Sequence, residues 1–461
     1  MSGIYPADTI AAIATAPGEG AIAIVRISGP DAFALADRIF RCAPPPPSER
    51  PAGTFLRGQV VEPATGQILD QALLLVFRAP QSYTGEDGVE IHCHGGTQTT
   101  RRILETLLAN GARQAEPGEF TKRAFLNGKM NLTQAEAVAD LIHARSERAA
   151  RLASAQLDNH LGRKLLELHS ELVAVAADIE AMLDFPDDEL PQTVVGEIRR
   201  RLSAISNDIQ VFLGTRREGR VLREGIKIVI AGVPNVGKST LLNRLTGRER
   251  AIVSPHPGTT RDTIEEAITL QGYPLQLIDT AGLRKNAEEV EQEGIRRARK
   301  AMDEADVCIF IVDASQELSD DEKQFLKARS PQNTLILGNK TDLGSQIGPQ
   351  NVPNHQFLPV SLKFDPNIDQ ITAKILEIVL DHPAGSEHSA LAISNRHYNS
   401  LLIAQEEVES SIRCLQSEVE AEYILAATHA RAALEPIGQL LGKTYTEEVL
   451  SAIFSRFCVG K

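Results

Sequence analysis

Eight residues, Gly232-Val233-Pro234-Asn235-Val236-Gly237-Lys238-Ser239, carry the spacing G-x-x-x-x-G-K-[ST] and run straight into Thr240 and a helical pattern. Such a stretch wraps backbone N–H groups and a helix N-terminus around phosphates. Lys238 is then the cation for the β- and γ-phosphates, and the Ser239 hydroxyl is a ligand for Mg²⁺. Three further motifs follow in order. Gly258-Thr259-Thr260-Arg261-Asp262 has the place of a switch segment whose Thr260 closes over the same metal. Asp279-Thr280-Ala281-Gly282 ends an apolar run, so that the carboxylate reaches the metal through water and the Gly282 backbone approaches the γ-phosphate. Asn339-Lys340-Thr341-Asp342 ends another. Here the Asp342 carboxylate accepts two hydrogen bonds from guanine N–H groups, which adenine does not offer. A site built on such bonds rejects the analogue lacking them by about four to five orders of magnitude. Ser361-Leu362-Lys363 then stands where a backbone N–H completes base recognition. Each motif is weak alone, but four in order specify a GTPase with GTP as substrate.

How the water is activated is less determined. A Ras-like GTPase has a Gln after the glycine of its third motif, whereas this chain has Leu283, with no hydrogen-bonding group. Glu288, Glu289, Glu291 and Glu293 are the nearby carboxylates, and the residues alone do not rank them. Arg261 and Arg284 read equally as charge stabilisers or as surface ion-pair residues.

The loops need a scaffold, and the runs 226–230, 275–278, 307–312 and 334–337 supply one: short apolar strands separated by helical or loop stretches, hence a parallel sheet with helices on both faces. On one side of it Leu161, Leu165, Leu168, Leu172, Val175, Ile179 and Met182 recur at helical spacing. Val195, Ile198, Leu202, Ile205, Ile209 and Phe212 repeat the period and predict an antiparallel partner. On the other side Leu401, Ala404, Val408, Ile412 and Leu415 share a face, and an amphipathic stretch covers 446–457. The N-terminal part predicts strands at 9–15, 21–27, 54–61, 73–77 and 89–94, with one helix after Gly96. The fold class is therefore multi-domain: an N-terminal α+β domain (1–125), a discontinuous all-α helical domain (126–224 and 384–461), and an inserted α/β P-loop GTPase domain of Ras-like type (225–383).

Composition narrows the function classes. A chain of 461 residues with a net charge of −13 does not hold nucleic acid by bulk electrostatics. Arg199-Arg200-Arg201 and Arg216, Arg217, Arg220 and Arg223 read as solvated helix faces rather than as a nucleic-acid patch. Five scattered cysteines form no disulfide or zinc framework. In His92-Cys93-His94, strand alternation turns the cysteine away from the histidines, which disfavours a metal. No secretory leader and no run of about 18 apolar residues is found, so the expectation is a cytoplasmic protein without a membrane segment.

The motifs taken together resemble one family. Asn235 within G-x-P-N-x-G-K-S, the stretch 252–262, Asp279-Thr280-Ala281-Gly282-Leu283-Arg284 and the terminal Phe457-Cys458-Val459-Gly460-Lys461 are similar to the tRNA modification GTPase MnmE (TrmE) family. Val25-Arg26-Ile27-Ser28-Gly29, Gly85-Glu86-Asp87, His94-Gly95-Gly96 and the run 117–129 also resemble it. The resemblance implies that K⁺ replaces an arginine finger when two GTPase domains meet, with Asn235, Ser254, His256 and Thr259 as its ligands. It extends the nucleotide contacts to Ser254, Pro255, His256 and Pro257, and it places Glu291 on the water-activating glutamate. It further implies a tetrahydrofolate derivative, 5,10-methylene- or 5-formyl-, held in the N-terminal domain by Arg26, Glu90, Lys129 and Lys461. The implied partners are a second copy of the chain, the flavoprotein MnmG in a heterotetramer, and tRNA, whose wobble uridine gains a carboxymethylaminomethyl or aminomethyl group at C5. Cys458 reads either as a participant near the folate or as a plain surface thiol. The competing reading, a ribosome-assembly or signalling GTPase switch, calls for an RNA-binding module or a second GTPase domain, and neither is evident in the sequence.

Overall fold

The computed structural model describes residues 8–184, 192–247, 267–279, 302–365, 367–380, 391–417 and 419–461. Its contacts divide the chain into two compact units, Met1–Ala139 with Gly438–Lys461, and Asp140–Ile437.

The first unit is built on seven strands: β1 (Ile10–Ile13), β2 (Gly20–Ser28), β3 (Phe40–Cys42), β4 (Phe55–Val61), β5 (Ile68–Phe77), β6 (Gly88–Gly95) and β7 (Arg113–Gln114). They run in the order β3-β4-β5-β6-β2-β1-β7, antiparallel except for β7 on β1. Period-two alternation decides which face is covered. Ala23, Val25 and Ile27 of β2, Ala72, Leu74 and Val76 of β5, and Val89, Ile91 and Cys93 of β6 are buried in one core. Two helices cover it, α1 (Ala32–Ile39) and α2 (Thr97–Ala109), through Phe33, Leu35, Ile39, Ile103 and Leu107. The sequence pattern predicts only α2. The eight residues of α1 escape it because so short a run barely shows a helical period.

A third helix, α3 (Glu119–Leu126), carries a charged cluster into the interior of this unit. Arg123 pairs with Asp8 at 2.6 Å, Glu119 at 3.0 Å and Glu86 at 3.2 Å, while Arg113 meets Glu119 at 2.5 Å. Burial alone would raise the Glu119 pKa; hydrogen bonds from Arg113, the Glu116 N–H and Arg123 outweigh it and hold the carboxyl below its ordinary value.

The last residues of the chain complete this unit. The helix Glu447–Phe454 is capped by Thr446, whose side chain accepts from the Val449 N–H. Its Leu450, Ile453 and Phe454, with Phe457, share a core with Phe125, Leu132 and Ala135. Beyond it Val459 bridges to Pro117, and the Phe120 N–H donates to the Lys461 carbonyl at 3.2 Å. Gly460 has φ +95°, and a Cβ there would lie 2.3 Å from the Ile13 carbonyl oxygen, so glycine alone lets the tail lie this close.

In the second unit the helical stripes are as the spacing predicts. After α4 (Leu132–His143), which crosses the division, and α5 (Glu147–Leu157), all seven stripe residues of α6 (His160–Asp184) are buried. In α7 (Gln192–Gly214) Ile198, Leu202, Ile205, Ile209 and Phe212 are buried too. Arg201 of α7 reaches both Glu171 and Asp178 of α6 at 2.6 Å. From Leu401 to Leu415 the stripe of the helix Asn395–Cys414 is buried or half-buried, and Gln405 bonds Ser206 of α7 at 2.7 Å.

After α8 (Arg216–Glu224) comes a six-stranded sheet: β8 (Ile226–Ala231), β9 (Ala267–Leu270), β10 (Tyr273–Asp279), β11 (Val307–Asp313), β12 (Thr334–Asn339) and β13 (Gln356–Pro359). The order is β13-β12-β11-β8-β10-β9, parallel except for β9 against β10. Residues alternate between two cores: Ile309, Ile311, Leu335 and Leu337 enter one, Cys308, Phe310, Val312 and Ile336 the other. That double burial explains why these strands read as unbroken apolar runs. Ala149 and Leu152 of α5 and Val221 and Leu222 of α8 belong to the first of these cores. Among the described residues no helix is long and apolar enough to cross a membrane.

Candidate functional site

Strand β8 ends at Ala231, and the chain then turns through Gly232 (φ +142°), Asn235 (φ +64°) and Gly237 (φ +111°) before α9 (Lys238–Thr246) begins. Glycine is demanded twice. A Cβ on Gly232 would sit 2.3 Å from the Ile311 carbonyl oxygen, and one on Gly237 2.4 Å from Asn339 Nδ2. Helix α9 starts at Lys238 rather than near Thr240, so Lys238, Ser239 and Thr240 form its first turn, whose N–H groups have no acceptor within the helix. Lys238 Nζ donates to the carbonyls of Gly232 at 2.9 Å and Val233 at 2.6 Å. The Ser239 side chain is exposed there.

Asn339, buried at the end of β12, ties the loops together. Its Nδ2 donates to the Val236 carbonyl at 2.6 Å, and its Oδ1 accepts from the Leu362 N–H at 2.9 Å. Lys340 follows in a left-handed conformation (φ +67°) with Nζ 2.7 Å from Asp313. Asp342 is exposed and accepts a hydrogen bond from Ser361 Oγ at 2.6 Å. The Asp279 backbone pairs with Ile230 of β8, which brings the start of the third motif beside the strand that feeds the phosphate loop. Phosphate-loop and base-reading residues therefore converge at the carboxyl ends of parallel strands, where α/β sheets bind ligands. An exposed hydroxyl in the first turn of α9 suits a hard cation with oxygen ligands. Ser254, Pro255, His256, Pro257, Gly258, Thr259, Thr260, Thr280, Ala281, Gly282 and Glu291, with Leu283, its neighbouring glutamates, Arg261 and Arg284, lie outside the described residues.

A second group of expected residues is found in the first unit. Arg26 of β2 faces Glu90 of β6 across the sheet, 2.8 Å apart. The guanidinium of Arg26 stands 5.5 Å from the Tyr83 ring centre and 5.6 Å from that of Phe120, and it donates to the Gly460 carbonyl at 3.4 Å. A cavity of about 290 Å³, open space included, is lined by Arg26, Ser28, Phe77, Ser82, Tyr83 and Glu90 among others. Ser82 Oγ is buried there without a hydrogen-bond partner. A cation, a carboxylate, aromatic walls and an unpaired hydroxyl fit a polar heterocycle bearing carboxylates. The expected set is only partly gathered. Lys461 reaches this region through its carbonyl on Phe120, whereas Lys129 bonds the Pro80 carbonyl at 2.9 Å, and neither lines the cavity. Cys458 is exposed, one residue before the bridge at Val459.

The His-Cys-His run behaves as its alternation requires. His92 sits 3.4 Å from Glu90 and His94 2.7 Å from Asp70, while Cys93 is buried, its thiol pushed up to about 11 by desolvation first and by Asp70 second. No metal-ligand cluster occurs among the described residues. Sequence reasoning misses Ser82, Tyr83 and Asp313. For Asp313 a signal exists, an Asp at the end of an apolar strand, the position also held by Asp279.

Comparison with known proteins agrees with this layout. Residues 9–129 match the model of the GTP-binding protein TrmE N-terminus, and residues 132–458 that of the MnmE helical domain. A protein of Natranaerobius thermophilus named tRNA modification GTPase MnmE is 41% identical over 98% of this chain and 99% of its own. Relatives with the same name from Ligilactobacillus salivarius (39%; 98% of each chain) and Moorella thermoacetica (41%; 98% and 99%) are similarly close. Among solved structures, a point variant of Aquifex aeolicus Era bound to GDP.AlF4- shares 26% identity over 42% of this chain and 69% of that one, with a TM-score of 0.25, too low to carry the fold. With both models and near full-length relatives in agreement, the chain belongs to the MnmE (TrmE) family of tRNA modification GTPases.

Proposed function

We propose that the chain binds and hydrolyses GTP and couples its turnover to modification of tRNA. The observation that carries this is Asn339: one amide bonds both the phosphate loop, at Val236, and the base-reading loop, at Leu362. Triphosphate and base are thus recognised on a single frame. An incoming phosphate oxygen would displace the two carbonyls from the Lys238 ammonium, since it offers a full negative charge where they offer only dipoles. Ser361 holds one Asp342 oxygen and so orients the carboxylate toward the guanine N–H groups. Mg²⁺, held by Ser239 and Thr260, supplies positive charge to the phosphate oxygens when bound. K⁺, held by Asn235, Ser254, His256 and Thr259 as two GTPase domains pair, supplies what an arginine finger supplies elsewhere. Glu291 orients the attacking water.

In the first unit Arg26, Glu90, Lys129 and Lys461 would hold the tetrahydrofolate derivative, which brings a one-carbon unit. The unpaired Ser82 hydroxyl beside Arg26 supports a polar ligand there. A homodimer acting with MnmG in the cytoplasm on the C5 position of wobble uridine completes the reading. Its test is GTP hydrolysis in KCl against NaCl, where potassium should accelerate turnover at least about tenfold, a small part of what an arginine finger supplies. Equal rates would remove the cation from the mechanism. Glu291→Ala should abolish hydrolysis with GTP affinity retained.

A further inference from the structure

Asp313 belongs to none of the motifs above, yet it sits inside the base-reading apparatus. It ends β11 opposite Asn339 of β12, and the next residue's N–H, that of Ala314, donates to the Asn339 carbonyl at 2.7 Å. Its two oxygens are divided. Oδ1 accepts from the Ser315 N–H at 3.1 Å and hydroxyl at 2.6 Å, and Oδ2 receives Lys340 Nζ at 2.7 Å. The carboxylate is 14% exposed, and the lysine one third. Burial alone would raise the Asp313 pKa, but Lys340 and then Ser315 outweigh it and hold the group ionised.

Lys340 is otherwise a four-carbon stem with ample rotamer freedom. Its backbone is fixed between Asn339, which joins the two loops, and Asp342, which reads the base. With the ammonium tied down as well, both ends of the stem are set, leaving its methylenes as a fixed apolar strip beside the base site. The geometry points to Asp313 as a positioning residue for the base: by tethering Lys340 it pre-orders a surface on which a purine packs, and so strengthens nucleotide binding without reading the purine's edge. This rests on the site being a guanine-nucleotide site.

The test is titration of the full chain with GDP and with IDP, which lacks the 2-amino group that Asp342 reads. Asp313→Asn should weaken both by the same factor, about fivefold, and raise the KM for GTP by that factor with kcat held. Asp313→Glu should recover part of the loss. Lys340→Met keeps the stem but not the tether, so it should show the same equal loss, and adding Asp313→Asn to it should cost nothing more. It also serves if Asp313→Asn fails to fold. Unchanged affinity in Asp313→Asn or Lys340→Met, a shifted GDP-to-IDP ratio, or additive losses would overturn the assignment. Failure of the unsubstituted chain to bind GDP would instead overturn the reading of the site itself.

Discussion

At the scale of single residues, the site is defined by positions where only one residue type fits. Gly237 combines φ +111° with a Cβ position 2.4 Å from Asn339 Nδ2. Gly237→Ala should therefore lose GDP affinity by about two orders of magnitude, since backbone strain adds to the loss of the Asn339 bonds. Gly344 provides the control. It has φ +106° with nothing within 4 Å of its Cβ position, so Gly344→Ala should be strained yet bind nearly normally. Equal losses in the two variants, measured by nucleotide titration, would show that strain alone is responsible. The phosphate loop and Asn339 are legible in the sequence because their chemistry demands fixed residue types at fixed spacing. Ser82 is not, and Asp313 shows only its place at a strand end, because each acts through a neighbour that the fold supplies: a cavity wall for one, a lysine on the adjacent strand's end for the other.

At the scale of elements, long periodic helices are the most readable feature. Seven buried positions on α6 follow directly from alternating steps of four and three. Short elements escape. The two-residue β7 exists only as a rung on β1, and its Arg113 is placed by ion pairs with Asp8 and Glu119 that are remote or unmarked in the sequence. That cluster carries a pH signature. Glu119 has its pKa depressed on folding, so its stabilisation is complete above the unfolded value of about 4.3 and is lost as pH falls through the lower folded one. Glu119→Gln should destabilise the first unit by about 3–5 kcal/mol near neutrality, because Arg113 and the buried Arg123 lose a counter-charge. It should also flatten the acid limb of a melting-temperature profile below about pH 5. An unchanged limb would place the acid sensitivity elsewhere.

At the scale of the whole molecule, the acidic net charge and the paired arginines agree. Arg200 bonds Glu197, Arg201 bonds two carboxylates, Arg220 bonds Asp306, Arg223 bonds Asp140, and Arg216 lies over Tyr398. Arg201 ties α7 to α6, whereas the Arg200–Glu197 pair lies exposed on α7 alone, as a solvated helix face would have it. A tRNA-modifying role is best examined in cells: mass spectrometry of wobble uridines in a strain lacking the protein should show loss of the C5 group. An intact modification profile would refute that role.

The first unit is assembled from both ends of the chain, with about 300 residues intervening between Ala139 and Gly438. On the ribosome, at roughly 5–20 residues per second, the sheet of β1 to β7 is made some 15–60 s before the helix that covers Phe125 and Leu132. During that interval an apolar face waits in the open, a stage at which chaperones would be expected to engage the nascent chain.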